Sequence, residues 1–458
     1  MNSFLLNRQL GSVSPESFAK AQNHRLLRSL QAAPDVQFAL TQPESSSAGY
    51  TRSHGTRPRT IAHAAGVNSI AIDRFEGRYL LCGGADSSIA IWDLEAANIA
   101  HGEPVTHLPL GNVAKTSTTA SLSINHISYF PFDSLAFLTS GYDHTTKIFS
   151  SETLQVSAKF DLGHTVYSHA TSDVASHLLV ACATQHPAVR LIDLQSGASA
   201  HSLAGHAGSV LTIAWHPKNE NILASGASDG TVRLWDIRRS ASSLGVLDMD
   251  DSIGIAGYDG FGTGARRRER GMAHVGAVNG LTWTEDGQYL VTSGLDERMR
   301  VWNMATGANT LANFGPSIKN NQNTALNPVL APSHLSPAGS GTLFFPNPQE
   351  ILIFDLHAGI LLQRLRVVAQ SAPSGPGGSI RNLKNQTRSL AWRAHDVEMY
   401  SGHSDGTVRC WRPRTWEDAV VEEEEATGAE SEAMEKKRKR DELDQIVRDL
   451  TKKPVTFS

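Results

Sequence analysis

The frame that runs from Gly205-His206 to Trp235-Asp236 constrains this chain more than any other feature, because a weaker copy begins at Ala273-His274 and ends at Val301-Trp302-Asn303. A chain that repeats one supersecondary unit stacks that unit against its neighbours. Inside the frame, Val210-Leu211-Thr212-Ile213-Ala214-Trp215 alternates, and Ile222-Leu223-Ala224-Ser225 follows; an Asp229-Gly230 turn comes next, and Thr231 leads to Trp235-Asp236. Three period-2 runs parted by turn residues predict three short strands, with a fourth in the connection to the next frame. One such sheet cannot bury both its faces alone.

An aspartate in the turn with an aromatic residue six positions on recurs as Asp86 with Trp92, Asp143 with Phe149, Asp229 with Trp235, Asp296 with Trp302 and Asp405 with Trp411. Two strand groups without that pair, Leu178 to Val180 with Val189 to Leu194 and Leu343 to Phe345 with Ile351 to Leu356, fill the gaps. Four strands in about 40 to 45 residues is the WD-repeat signature. The expected fold is therefore an all-β, seven-bladed WD-repeat β-propeller over residues 52–413, a ring that serves as a binding platform. Closing the ring takes a strand from the other end of the chain, and Arg59-Thr60-Ile61-Ala62, just before His63, is the expected donor to the last blade.

The histidines at the starts of the frames have a structural task. His206, Ser225, Asp229 and Trp235 in the fourth unit, and His274, Thr292, Asp296 and Trp302 in the fifth, are spaced to form a hydrogen-bonded tetrad whose buried polar groups satisfy one another. In the first unit Cys82 replaces the hydroxyl, which weakens the network, and the seventh lacks the Gly-His altogether.

Outside the ring, Asn2 to Leu10 reads as one short helix and Ser14 as the N-cap of a second, with Pro15 at its first position and Phe18, Leu26, Leu27 and Leu30 along it. Residues 1–31 are thus expected to form a helix-loop-helix lying outside the propeller, so that its deletion leaves the ring folded, and residues 32–51 a loose linker. The apolar core of Met1 to Leu10 is too short for a secretory signal; a mitochondrial presequence is the alternative for this arginine-bearing start. A glycine-rich insert at 248–271 ends in Arg266-Arg267-Arg268-Glu269-Arg270, and Gln370 to Ser379 is a second loop rich in Ser, Pro and Gly. The tail, 414–458, has the composition of a disordered segment and carries Lys436, Lys437, Arg438, Lys439 and Arg440, which fit a nuclear localisation signal. Leu443, Ile446, Val447 and Leu450 follow at helical spacing.

Chemistry-bearing motifs do not emerge. The net charge of -4, with 19% charged residues, gives no broad basic face for direct nucleic-acid binding. Cys82, Cys182 and Cys410 are odd in number and far apart, so neither a disulfide framework nor a zinc site follows, and no apolar run reaches the length of a membrane span. Two G-x-S-x-G strings, Gly226 to Gly230 and Gly402 to Gly406, sit at equivalent turns of two units rather than on a nucleophile elbow. No catalytic, cofactor-binding or metal-binding set is read, and no cofactor is expected.

Beyond the repeat, several strings make the chain similar to the Cockayne syndrome A protein family: Phe4-Leu5 with Arg8-Gln9 and Gly11, Glu76-Gly77-Arg78-Tyr79, Thr165-Val166-Tyr167-Ser168-His169, Leu234 to Arg239, and Asn309-Thr310-Leu311 with Asn313 to Gly315. The likeness spans the N-terminal helices and nearly the whole ring, is weak at the sixth and seventh units, and leaves out the 248–271 insert and the basic tail. The resemblance implies a non-catalytic substrate receptor of a cullin-4 RING ubiquitin ligase in the nucleus. It would be joined to cullin-4 and a RING protein through the large subunit of the damaged-DNA-binding adaptor, and would act in transcription-coupled nucleotide excision repair. Stalled RNA polymerase II and its remodelling ATPase are the implied clients. The resemblance assigns adaptor binding to Phe4, Leu5 and Arg8 and to the W-D-x-R box Trp235-Asp236-Ile237-Arg238, whose Asp236 and Arg238 fall at the underside of the ring. A WD-repeat scaffold in a chromatin or RNA-processing complex would use the same ring without a ligase and would have no need of Phe4, Leu5 and Arg8.

Overall fold

The computed structural model describes residues 6–7, 9–11, 14–40, 61–96, 105–113, 122–239, 243–251, 271–322, 324–336, 341–366, 386–393 and 395–414. Among the described residues the strands form seven four-stranded sheets and one two-stranded pair. Blade 1 runs from Val67 to Val113, blade 2 from Ile124 to Asp161, blade 3 from Val166 to Ala204 and blade 4 from Val210 to Val246; blade 5 runs from Val278 to Asn309, blade 6 from Val329 to Arg366, and blade 7 starts at Thr387. The chain is a seven-bladed β-propeller.

Period-2 alternation produces this ring because each blade hides its apolar residues in the layers between blades. Trp235 of blade 4 packs with Ala181, Ala183, Val189 and Leu191 of blade 3, and Trp302 of blade 5 packs with Ala224, Val232 and Leu234 of blade 4. Trp92 of blade 1 shares a layer with Tyr400, Val408 and Cys410 of blade 7, which closes the circle. The four tryptophans that end the third strands, Trp92, Trp235, Trp302 and Trp411, are among the largest fully buried side chains. Each contributes to a layer that neither blade could form alone.

The ring closes differently from the sequence expectation. The outer strand of blade 7 is Leu30–Ala33, hydrogen-bonded to Val408–Pro413, and not Arg59 to Ala62. Ile61 and Ala62 are not in a strand, and residues 59 and 60 lie outside the described residues. The reason lies in burial. Leu30 enters the layer formed by Trp411, Met399, Leu390, Phe344 and Ile353, whereas Ala62 is buried in the next layer beside Trp92 and Tyr400, and the Ala62 and His63 backbone N–H groups donate to Gly406 O at the turn of blade 7.

The expected linker over 32–51 is therefore corrected over its first part. After a turn at Pro34-Asp35, Val36–Phe38 pairs in parallel with Val105–His107, and residues 41–51 lie outside the described residues. Phe38 stacks on His107 at 5.1 Å and meets Trp92 edge-on at 5.7 Å. The second helix is shorter than expected, spanning Pro15–Leu27; Ser14 Oγ accepts the Ser17 N–H at 3.2 Å as its cap. Leu30, expected on this helix, belongs to the closing strand. The helix does not stand apart from the ring: Leu27 is buried with Leu335 and Trp411. Deleting residues 1–31 would remove part of the closing strand, so these residues do not all lie outside the propeller as expected, and the ring is not expected to fold intact without them. Of the first helix only Leu6, Asn7 and Gln9 to Gly11 are described, and the basic part of the 248–271 insert and the tail beyond residue 414 lie outside the described residues.

Candidate partner-binding surfaces

The tetrads hold blades 4 and 5 from inside, and blade 7 carries a variant of them. In blade 5, His274 Nδ1 lies 2.8 Å from Asp296 Oδ1 and His274 Nε2 2.8 Å from Thr292 Oγ1, which accepts the Trp302 Nε1–H at 3.0 Å. With Trp302 donating to the hydroxyl, the hydroxyl donates to Nε2 and the Nδ1–H donates to the aspartate. The imidazole is then neutral. Burial pushes the His274 pKa down, against the pull of Asp296. Burial pushes Asp296 up, and the hydrogen bonds from His274 and Arg300, with the Arg300 charge, outweigh it and hold the carboxyl at about 2.

Blade 4 inserts one more hydroxyl into the same relay. Ser225 Oγ joins Trp235 Nε1 and His206 Nε2 at 2.7 Å each, but His206 Nδ1 meets Thr231 Oγ1 at 2.7 Å, and Thr231 donates to Asp229 Oδ1 at 2.7 Å. The direct separation of His206 Nδ1 and Asp229 Oδ1 is 3.7 Å. In blade 7, which has no Gly-His, His403 comes instead from the second strand: its Nε2 lies 2.8 Å from Ser401 Oγ, which takes the Trp411 Nε1–H at 2.8 Å. The Gly402-His403-Ser404-Asp405-Gly406 string was read as turn residues only, and the spacing of His403 two residues after Ser401 was the available signal. Blade 1 breaks the relay. Cys82 stands at the hydroxyl position, and the His63 Nε2 and Trp92 Nε1 atoms are buried without a partner.

The W-D-x-R box lies at the other end of blade 4. Asp236 ends the third strand, and its carboxylate accepts Arg238 Nε at 3.0 Å, Arg238 Nη2 at 2.8 Å and the Arg238 backbone N–H at 3.0 Å. The Asp236 side chain is 8% exposed and that of Arg238 66%. Hydrogen bonding from Arg238 outweighs burial and holds the Asp236 carboxyl below its ordinary range. The guanidinium does not swing free of the ring as a lone donor: two of its nitrogens are clamped, and its outer side faces solvent in a fixed orientation. Blade 1 repeats the device with Arg78, whose Nε and Nη2 reach Asp93 at 3.0 and 2.6 Å. Glu76-Gly77-Arg78-Tyr79 was noted only as a resemblance string, because Arg78 precedes its aspartate and no local spacing links them.

Strand order puts Arg238 and the helix on one face. In a four-stranded antiparallel blade the first and third turns share an end, and the second turn and the link to the next blade share the other. Arg238 sits on the third turn of blade 4, and the helix packs on Ser333–Leu335, in the first turn of blade 6. Leu6 and Leu10 are exposed, at 58% and 72%. Phe4, Leu5 and Arg8, and Lys436, Lys437, Arg438, Lys439 and Arg440, lie outside the described residues.

This fold with these tetrads is that of a WD-repeat β-propeller. The WD domain, G-beta repeat profile matches residues 55–93, 197–236 and 269–303, which end at Asp93, Asp236 and Asn303. Among known proteins, the chain is similar to WD repeat-containing protein ATCSA-1 of Arabidopsis thaliana, with 28% identity over 92% of this chain and 97% of the relative. It is 31% identical to the ribosome biogenesis protein ytm1 of Neurospora crassa over 45% of this chain and 47% of that one. It is also 25% identical to radiation-sensitive protein 28 of Saccharomyces cerevisiae over 44% of each chain. The chain thus spans about half the length of the last two relatives and nearly all of the first.

Proposed function

We propose that this protein is the non-catalytic substrate-recognition subunit of a cullin-4 RING ubiquitin ligase acting in transcription-coupled nucleotide excision repair. One observation carries the reading: the likeness to WD repeat-containing protein ATCSA-1 runs along 97% of that protein, well beyond the three stretches that the repeat profile matches. It agrees with the strings that resemble the Cockayne syndrome A family from Phe4 to Gly315. Asp236 and Arg238 then serve as one contact for the adaptor's large subunit, and Phe4, Leu5 and Arg8 as the other. The shared face of Arg238 and the N-terminal helix supports a single docking side. The clients are stalled RNA polymerase II and its remodelling ATPase, and Lys436 to Arg440 direct the protein to the nucleus.

A second reading, a scaffold in an RNA-processing complex without ligase function, draws on the ribosome biogenesis relative, which matches about half of this chain. Affinity purification from nuclei followed by mass spectrometry separates the two. The receptor reading expects the adaptor's large subunit and cullin-4 in stoichiometric amounts. Recovery of pre-ribosomal particles without cullin would overturn it.

A further inference from the structure

The turn between the second and third strands carries one residue at a fixed place, which is Asp86, Asp143, His186, Asp229, Asp296, Pro348 and Asp405 in blades 1 to 7. Four residues later, inside the third strand, come Ala90, Lys147, Arg190, Arg233, Arg300, Leu352 and Arg409. Wherever the second place holds a cation the first holds an aspartate, except in blade 3. The pairs close within the blade: Asp143 to Lys147 at 2.8 Å, Asp296 to Arg300 at 2.9 Å and Asp405 to Arg409 at 3.5 Å. Blade 3 keeps the cation and loses its counter-ion.

The turn itself is intact. His186 Nδ1 accepts the Ala188 N–H at 3.1 Å, as Asp229 Oδ1 accepts the Thr231 N–H at 2.9 Å and Asp405 Oδ1 the Thr407 N–H at 3.0 Å. An imidazole therefore takes over the acceptor role of the aspartate while removing its charge, and with Nδ1 accepting, the ring proton sits on Nε2. His164 lies against it, ring centroids 5.3 Å apart. Arg190 Nε is buried without a hydrogen-bond partner, and among the described residues no carboxylate lies within salt-bridge distance of its guanidinium. His186 and Arg190 are each half-buried, so both side chains are accessible from solvent. Burial and the neighbouring Arg190 and His164 push the His186 pKa down, which keeps Nε2 a neutral donor near pH 7. An arginine left half-covered without an anion is an incomplete arrangement.

We propose that the blade 3 rim binds a carboxylate from an acidic peptide segment of a protein partner, with Arg190 as the ion-pairing group and His186 Nε2–H as a second donor. A carboxylate fits because three sister blades seat one against the equivalent cation at 2.8 to 3.5 Å. Here the imidazole fills the internal place, so the anion comes from outside. This rim is at the opposite end of the blades from Arg238, and the inference holds whether or not the ligase reading does.

The test uses fluorescence anisotropy with a fluorescein-labelled hexaglutamate peptide and the full-length protein, its 266–270 and 436–440 basic runs changed to glutamine to remove competing cations. Arg190→Gln is expected to weaken binding about tenfold or more, the loss typical of truncating an interface arginine. His186→Asp, which restores the side chain of five other blades, is expected to weaken binding as much while raising the melting temperature, because Arg190 regains an internal partner. Arg298→Gln, at an exposed arginine of blade 5, is expected to change neither. Wild-type binding in either blade 3 variant, equal binding of a hexaglutamine peptide, absence of binding to the parent protein, or an equal loss with Arg298→Gln would each overturn the proposal. A phosphoserine peptide binding more than tenfold tighter would overturn the carboxylate assignment.

Discussion

At the scale of single residues, Cys82 is the most consequential departure from the repeat. Ser225, Thr292 and Ser401 occupy its equivalent places and each accepts a tryptophan N–H while contacting a histidine. A thiol is a weak partner for both, and it leaves His63 Nε2 and Trp92 Nε1 buried and unpaired. Cys82→Ser is expected to stabilise the protein by about 1 to 2 kcal/mol, since it satisfies two orphaned groups with one small hydroxyl. Urea denaturation checks this, and an unchanged or lower midpoint would refute it. The histidines set a pH dependence as well. Burial holds His63 at about 4 and His403 at about 3, below the ordinary 6.5, so the unfolded chain binds protons that the folded chain refuses. Stability is then full above about pH 6.5 and falls as pH drops toward 4, by up to about 1.4 kcal/mol per pH unit for each such group. Asp296 acts in the same direction only at lower pH, as its carboxyl protonates near 2. A urea midpoint that stays flat between pH 7.5 and 4.5 would contradict the buried-neutral assignment.

Among the elements, the closing strand governs the ring. Leu30 is fully buried in the layer shared with Trp411 and Met399, although it lies far from them in sequence. Leu30→Ala is expected to cost about 2 to 5 kcal/mol, as for other buried leucines, and to open blade 7 to protease before the other blades. Leu6→Ala, at an exposed site, is expected to stay within about 0.5 kcal/mol of wild type. Equal midpoints for the two variants would show that the ring closes without this strand. The blades themselves were legible from alternation and from the turn aspartates, because those signals are local. The closing strand was not, since Leu30-Gln31-Ala32-Ala33 continues the apolar spacing of the helix before it and carries no turn motif.

For the whole molecule, the two ends of the blades divide the work, with Arg238 and the helix on one and the Arg190 rim on the other. Charge reversal at Arg238 would set a second carboxylate against Asp236 and so mix stability with binding. Arg238→Ala is the cleaner variant. Its ion pair is largely exposed on the arginine side and contributes little to stability, whereas loss of an interface arginine often weakens binding more than tenfold. Adaptor binding is expected to fall over tenfold while the denaturation midpoint moves little. Titration calorimetry with the purified adaptor subunit decides it, and full affinity would remove Arg238 from the docking side.

Period-2 runs, turn aspartates and terminal tryptophans define a blade locally, and seven such units already imply a ring, because each has two apolar faces to cover. The histidine, hydroxyl and aspartate of a tetrad are separated by nearly constant distances in the chain, so two of them could be read directly. Which strand closed the ring depended on groups that meet only after the blades stack, whereas the histidine that entered blade 7 and the arginine without its counter-ion depended on pairings inside single blades. Leu30 meets Trp411 across most of the chain, and His403 replaces a residue from another strand. His186 preserves a turn while removing a charge whose absence matters only once Arg190 is partly buried beside it. Burial and long-range pairing are properties of the assembled layers, and no local pattern encodes them.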